Sequence, residues 1–122
     1  DTMMIKVKRI YDPPEASDGA RFLVDRLWPR GRTRASLQLT AWVRDVAPED
    51  DLRHWFNHEP AKWDEFKRRY FAFLDQHQDT LQPLLDAAKQ GNLTLLFAAH
   101  AVEQNNAVAL KIYLDKLLGN PA

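Results

Sequence analysis

From Asp25 to Gly31 the chain reads Asp-Arg-Leu-Trp-Pro-Arg-Gly, which sets a carboxylate, two guanidiniums and an indole within one turn. A guanidinium offers planar paired donors that match carboxylate or phosphate, and a nearby carboxylate can hold it in one rotamer. Asp25, Arg26 and Arg30 are therefore the sharpest candidates for recognising an anion, although the same residue types also make an internal ion pair that braces a turn. Trp28 is the tryptophan set among charges; its ring suits stacking on a base or an arginine, or serves as an apolar lid. Asn105 and Asn106 form a second set. Helix capping accounts for one of them, and the adjoining amide, beside the free N–H groups of a first helical turn, suits an anion. His58 and His100 are candidate acids or bases, with loop or capping histidines as the plain alternative. His54 and His58 have the spacing of a metal pair on one helix face, but Asn57 stands between them as a helix stop and no third ligand has a fitting spacing, so no metal site is assigned. No nucleophile with its base is legible, and catalytic residues and cofactor stay unassigned.

These residues need a frame. Phe22, Leu23 and Val24 are strand formers that run directly into Asp25, and Pro29 and Gly31 end the ladder and turn the chain. In open α/β sheets the carboxyl ends of strands are where ligands sit. Upstream, Ile5 and Val7 alternate with Lys6 and Lys8 to predict a first strand that Pro13 and Pro14 close, and Ser17-Asp18-Gly19 is turn chemistry. Residues 41–46 fit a short strand or a helix, with the strand preferred. Pro48, Glu49, Asp50 and Asp51 open a helix whose apolar face is Leu52, Trp55 and Phe56 and whose stop is Asn57. Pro60 begins the longest helix, with Trp63, Phe66, Tyr70, Phe73, Leu74 and His77 on the core face and the pairs Asp64 with Arg68 and Glu65 with Arg69 outside. Asp79 reads as the N-cap of a helix that Gly91 closes. Residues 93–99 are the most apolar run and predict a strand buried on both faces, with His100 at its end. A broad apolar helix then runs from about Val102, through Leu110 and Leu114, to Gly119. The pattern predicts an α/β fold, a small, mostly parallel sheet of about four strands with helices packed on both faces.

A chain of 122 residues that is 45% hydrophobic can bury one core, which predicts a single domain over residues 3–119 with Asp1 and Thr2 set aside as a remnant. Seventeen basic and seventeen acidic residues give zero net charge, so nothing in the whole-chain field draws it to nucleic acid or anionic membrane, and any preference must be local. The lack of cysteine excludes disulfides, thiolate nucleophiles and thiolate metal sites. No apolar run nears the roughly 20 residues that cross a bilayer, and no charged-then-apolar segment opens the chain. The expectation is a cytoplasmic protein without a membrane partner.

Val24-Asp25-Arg26-Leu27-Trp28-Pro29-Arg30-Gly31, then Trp55-Phe56-Asn57-His58-Glu59-Pro60 with Trp63 and Phe66, then Asn105-Asn106-Ala107-Val108 resemble the YeaO-like family of small bacterial proteins, domain of unknown function 488. The resemblance runs from about Ile5 to Leu118 and implies an intracellular bacterial α/β domain with no established activity. Before the paired asparagines the family usually has acidic residues and a histidine, where this chain has Ala101-Val102-Glu103-Gln104. A mechanism using that histidine as general base is therefore in doubt here. Asn57 stands where the family has glycine, and both tolerate a left-handed backbone.

These residues together predict a pocket for a small anionic or nucleotide-like ligand where the 25–31 turn meets the start of the last helix. Its expected lining is Asp25, Arg26, Trp28, Arg30, His58, His100, Asn105 and Asn106, with Arg30 and Asn106 facing one shared cavity. Were it catalytic, Asp25, His58 or His100 would serve as acid or base. A second reading binds nucleic acid through Arg26, Arg30, Arg32 and Arg34 with Trp28, and zero net charge weighs against it. A third is a non-catalytic interaction module, since arginine and aromatic side chains are enriched at interface hot spots.

Overall fold

The computed structural model describes residues 4–121; Asp1 and Thr2 lie outside them. Strands β1 (Ile5–Arg9), β2 (Ala20–Leu23), β3 (Ala41–Trp42) and β4 (Leu93–Phe97) form one wholly parallel sheet in the order β1-β4-β2-β3. Parallel neighbours require crossovers, and helices supply them here. Helix α1 (Arg34–Leu37) joins β2 to β3, then α2 (Asp50–Phe56), α3 (Trp63–Asp75) and α4 (Gln82–Gln90) lead to β4, and α5 (Asn106–Leu118) follows it. All strand carboxyl ends therefore share one edge, and the 24–33 and 98–105 loops both leave from it.

The central strand β4 is buried at every residue, as the apolar run predicts. Because strand side chains alternate, the sheet has two unlike faces. On one, Ile5, Phe22, Leu93, Leu95 and Phe97 pack with Phe56, Phe66, Tyr70, Leu74, Leu84, Leu110 and Leu114 from α2 to α5. Among the described residues the other carries α1 and a one-turn 3-10 helix, Ala16–Asp18. There Leu23 and Leu96 meet Ile10 and Leu37 in a small cluster, and charge fills the rest. Asp18, with no exposed surface, accepts from Arg21 Nη1 at 2.5 Å, Lys6 Nζ at 3.0 Å and Lys8 Nζ at 3.1 Å. Arg21 turns its remaining donors to the Leu37 carbonyl at 2.8 and 3.1 Å. Gly19 lets this turn meet the sheet: its φ is +65°, and a Cβ there would lie 2.0 Å from the Asn92 carbonyl oxygen.

Several elements differ locally from expectation. The strand across 41–46 stops at Trp42, and Arg44–Val46 is a 3-10 turn where the Val46 carbonyl accepts the Tyr70 hydroxyl. The strand expected over 93–99 stops at Phe97, and the last helix begins at Asn106 rather than near Val102. Pro60–Lys62 is a 3-10 turn ahead of α3, and His77 is exposed past its end, with its ring 4.3 Å from Phe73. Asp79 caps nothing, since it sits inside another 3-10 turn, Gln78–Leu81. Arg68 pairs with Glu65 at 2.5 Å rather than with Asp64, because Glu65 can hold Arg68 by both oxygens and also reach Arg69 at 2.7 Å. Asp64 faces Lys67 at 3.7 Å.

Candidate functional site

Past Leu23 the ladder continues for one more bond, Val24 N–H to the Leu96 carbonyl at 3.1 Å, and Asp25 then leaves at the carboxyl edge. Its carboxylate accepts from the Ala98 N–H at 2.9 Å and from Asn106 Nδ2 at 3.0 Å, and its backbone carbonyl accepts the Trp42 indole N–H at 2.7 Å. Burial pushes the Asp25 carboxyl above the usual carboxylate range, opposed by the Asn106 amide, the Ala98 N–H and the charges of Arg53 and His58. Asn106 reaches Asp25 because its neighbour does the capping. Asn105, fully buried, accepts from the Val108 N–H at 3.0 Å and donates to the Ala101 and Val102 carbonyls at 2.8 and 3.2 Å. The Asn106 amide also donates to the Val24 carbonyl at 3.1 Å, tying β2 to the start of α5.

Beside this junction lies a cavity of about 500 Å3. Asp25, Arg26, Arg53, His54, His58 and Asn106 form its polar lining, and Trp28, Pro29, Phe56 and Phe66 its apolar side. Arg53 donates through Nη2 to Asp50 at 2.7 Å, while its Nε is buried without a hydrogen-bond partner among the described residues. A covered donor with no acceptor is costly, so this atom is poised for one. After α2 the backbone turns through two left-handed residues, Asn57 at φ 45° and His58 at φ 53°. That turn brings the His58 ring within 5.7 Å of Phe56. Non-glycine residues held there are uncommon and gather where function needs them.

Of the residues expected at the site, Asp25, Arg26, Trp28, His58 and Asn106 line this cavity. Arg26 does not pair with Asp25. Its Nε and Nη2 donate to the Pro48 and Ala47 carbonyls at 3.2 and 2.8 Å, bracing the segment that enters α2. Trp28 donates to the Arg32 carbonyl at 2.7 Å and meets Trp42 edge-on at 5.3 Å. Arg30 is exposed on the turn and does not line the cavity, so it shares none with Asn106. Asn105 is fully engaged as a cap, and His100 is exposed beside Arg9. Arg53 and His54 were not expected. In sequence Arg53 is one more charge on a surface helix, and only the fold of α2 against the 24–29 turn turns it inward. Among the described residues no three His, Asp or Glu side chains gather as metal ligands, and no helix is long and apolar enough to cross a membrane.

The profile of DUF488-N3i, described as the inactive DUF488-N3 subclade, matches residues 4–121. The chain belongs to this family. The uncharacterized protein YeaO of Escherichia coli (strain K12) is 44% identical over 115 residues, covering 94% of this chain and all of the relative. The uncharacterized protein Rv3073c of Mycobacterium tuberculosis (strain ATCC 25618 / H37Rv) is 42% identical over 111 residues, 91% of this chain and 93% of its own. The YeaO-like resemblance of the 24–31 string thus extends over nearly the whole length. No solved structure matches the chain.

Proposed function

We propose that the cavity beside Asp25 binds a small anionic, nucleotide-like ligand and holds it without turning it over. One observation carries this reading: Arg53, whose Nε is covered and unpartnered among the described residues, lines a cavity that sets two arginines and two histidines against one carboxylate. That balance favours a negative group, and a guanidinium edge is well shaped for an oxyanion. The faces of Trp28, Phe56 and Phe66 suit a planar ring, and Asp25 supplies lone pairs for a ring N–H. A volume of about 500 Å3 is in the range of small-molecule sites. The family's description as inactive, and Ala101-Val102-Glu103-Gln104 where a histidine is expected, support binding over turnover. The nucleic-acid stripe is weakened because Arg26 directs its guanidinium at backbone carbonyls. Calorimetric titration with nucleoside monophosphates and sugar phosphates tests the proposal. At least one should give saturable heat that Arg53→Gln weakens about tenfold or more; no saturable heat from any of them overturns it.

A further inference from the structure

His100 was expected at the cavity, and its actual surroundings are a different set of charges. Strands β1 and β4 are neighbours, with Arg9 in register with Phe97, so Arg9 ends its strand beside the 98–100 segment. Arg9 Nε donates to the Ala99 carbonyl at 3.0 Å, and Nη2 lies 3.2 Å from His100 Nδ1. A guanidinium has no acceptor, so Nδ1 accepts and the neutral ring carries its N–H on Nε2, directed away from Arg9. Tyr11 is 51% exposed, and its ring centroid lies 4.9 Å from Arg9 Cζ and 4.8 Å from Arg32 Cζ. Both guanidiniums therefore contact this one ring. Arg32 is delivered there by Trp28, whose indole N–H binds its carbonyl.

No carboxylate neutralises this set. Among the described residues neither Arg9 nor Arg32 takes part in an ion pair, whereas α3 pairs Lys67, Arg68 and Arg69 with acids. Asp12 accepts the backbone N–H of Arg9 at 3.0 Å. We infer that Arg9, Arg32 and His100 form a second anion site, outside the cavity, that takes the phosphate group of a phosphate ester. The Arg32 guanidinium, the remaining Nη1 donors of Arg9 and an imidazole N–H supply donors from more than one plane, which a tetrahedral phosphate can accept and a flat carboxylate serves less well. Ala99 and Trp28, which anchor Arg9 and Arg32, also line the cavity, so the two sites adjoin. The inference does not depend on the cavity being occupied.

Arginine side-chain and histidine-ring NMR on the whole chain tests it, with sodium pyrophosphate and a short oligothymidylate as probes. Saturable shifts are expected at the Arg9 Nη–H, at the Arg32 Nε–H and at the His100 ring, and Arg9→Gln and Arg32→Gln should each weaken binding about tenfold or more. Arg32→Gln removes a guanidinium that makes no hydrogen bond among the described residues, so it stays informative should Arg9→Gln disturb the Ala99 contact. Saturation by pyrophosphate assigns a free phosphate group. Shifts with the oligothymidylate alone, weakening steeply as salt rises, assign the phosphate to a nucleic-acid backbone. No shift at these residues with either probe, or unchanged affinity in both variants, overturns the inference. Arg53 and His58 signals report on the cavity separately, so the two readings fail independently.

Discussion

Replacing Asp18 by Asn removes the charge on which the polar face of the sheet converges. Asp18 has no exposed surface, and its three cations differ in how far water screens them. Lys6 keeps 25% of its side chain exposed and contributes little, whereas Lys8 at 11% and Arg21 at 5% are largely covered. An asparagine leaves Arg21 without its counter-charge and Lys8 with only the exposed Glu15 at 3.0 Å, and it turns an amide N–H toward donors. Breaking one partner out of a buried pair costs about 3–5 kcal/mol, a large part of the roughly 5–15 kcal/mol that holds a domain of ordinary stability. The pH dependence has a definite sign. Burial works to raise the Asp18 carboxyl, but the Glu15 N–H, Lys6, Lys8 and Arg21 overcome it and hold it far below the ordinary 3.8. A folded pKa below the unfolded one gives stability that is full above the unfolded value and is lost as pH falls toward the folded one. Urea unfolding followed by tryptophan fluorescence should find Asp18→Asn about 3–5 kcal/mol less stable at pH 7, with the gap to the parent narrowing from pH 5 toward pH 2. A variant within about 1 kcal/mol of the parent at pH 7, or a gap that widens in acid, would refute the reasoning.

Phe66→Ala should cost about 3–5 kcal/mol, because the ring is 1% exposed and stacks on Phe56 at 4.4 Å; a melting curve shows it. Trp63→Ala should cost less, since Trp63 is only half-buried. Asn106→Ala leaves the Val24 carbonyl and an Asp25 oxygen without their shared donor and should cost about 1–3 kcal/mol in denaturant titration. Arg30→Ala, on an exposed side chain, should change stability by no more than about 0.5 kcal/mol and leave the calorimetric affinity of any cavity ligand unchanged. Asp25 has the opposite sign to Asp18: its folded pKa is raised, so its contribution is full below the unfolded value and is lost as pH rises through the folded one. The parent's urea midpoint should therefore fall, relative to that of Asp25→Asn, as pH rises above about 4.

Features fixed by local chemistry were legible in the chain. The apolar run of β4, the left-handed stop at Asn57, a capping asparagine within the 105–106 pair and the turn after Val24 each follow from a few adjacent residues. What could not be read depends on which elements become neighbours. The alternation of Lys6 and Lys8 looks like a solvated strand face, and only the order β1-β4-β2 brings Asp18 and Arg21 over it. Arg53 enters the cavity, and His100 leaves it for Arg9, for the same reason: both positions are set by contacts between distant segments. Arg26 and Arg30 were equivalent as sequence, and the Ala47 and Pro48 carbonyls separate them by giving Arg26 a structural task.

The central claim is that the cavity takes an anion on Arg53, and the Arg53 Nε–H resonance is its most direct reporter. Followed through titration with nucleoside monophosphates and sugar phosphates, that buried, unpartnered proton should move downfield and saturate with the binding curve, as a donor does when it gains a charged acceptor. A ligand that saturates the protein while this resonance stays still, or no ligand of these classes that moves it, would contradict the account.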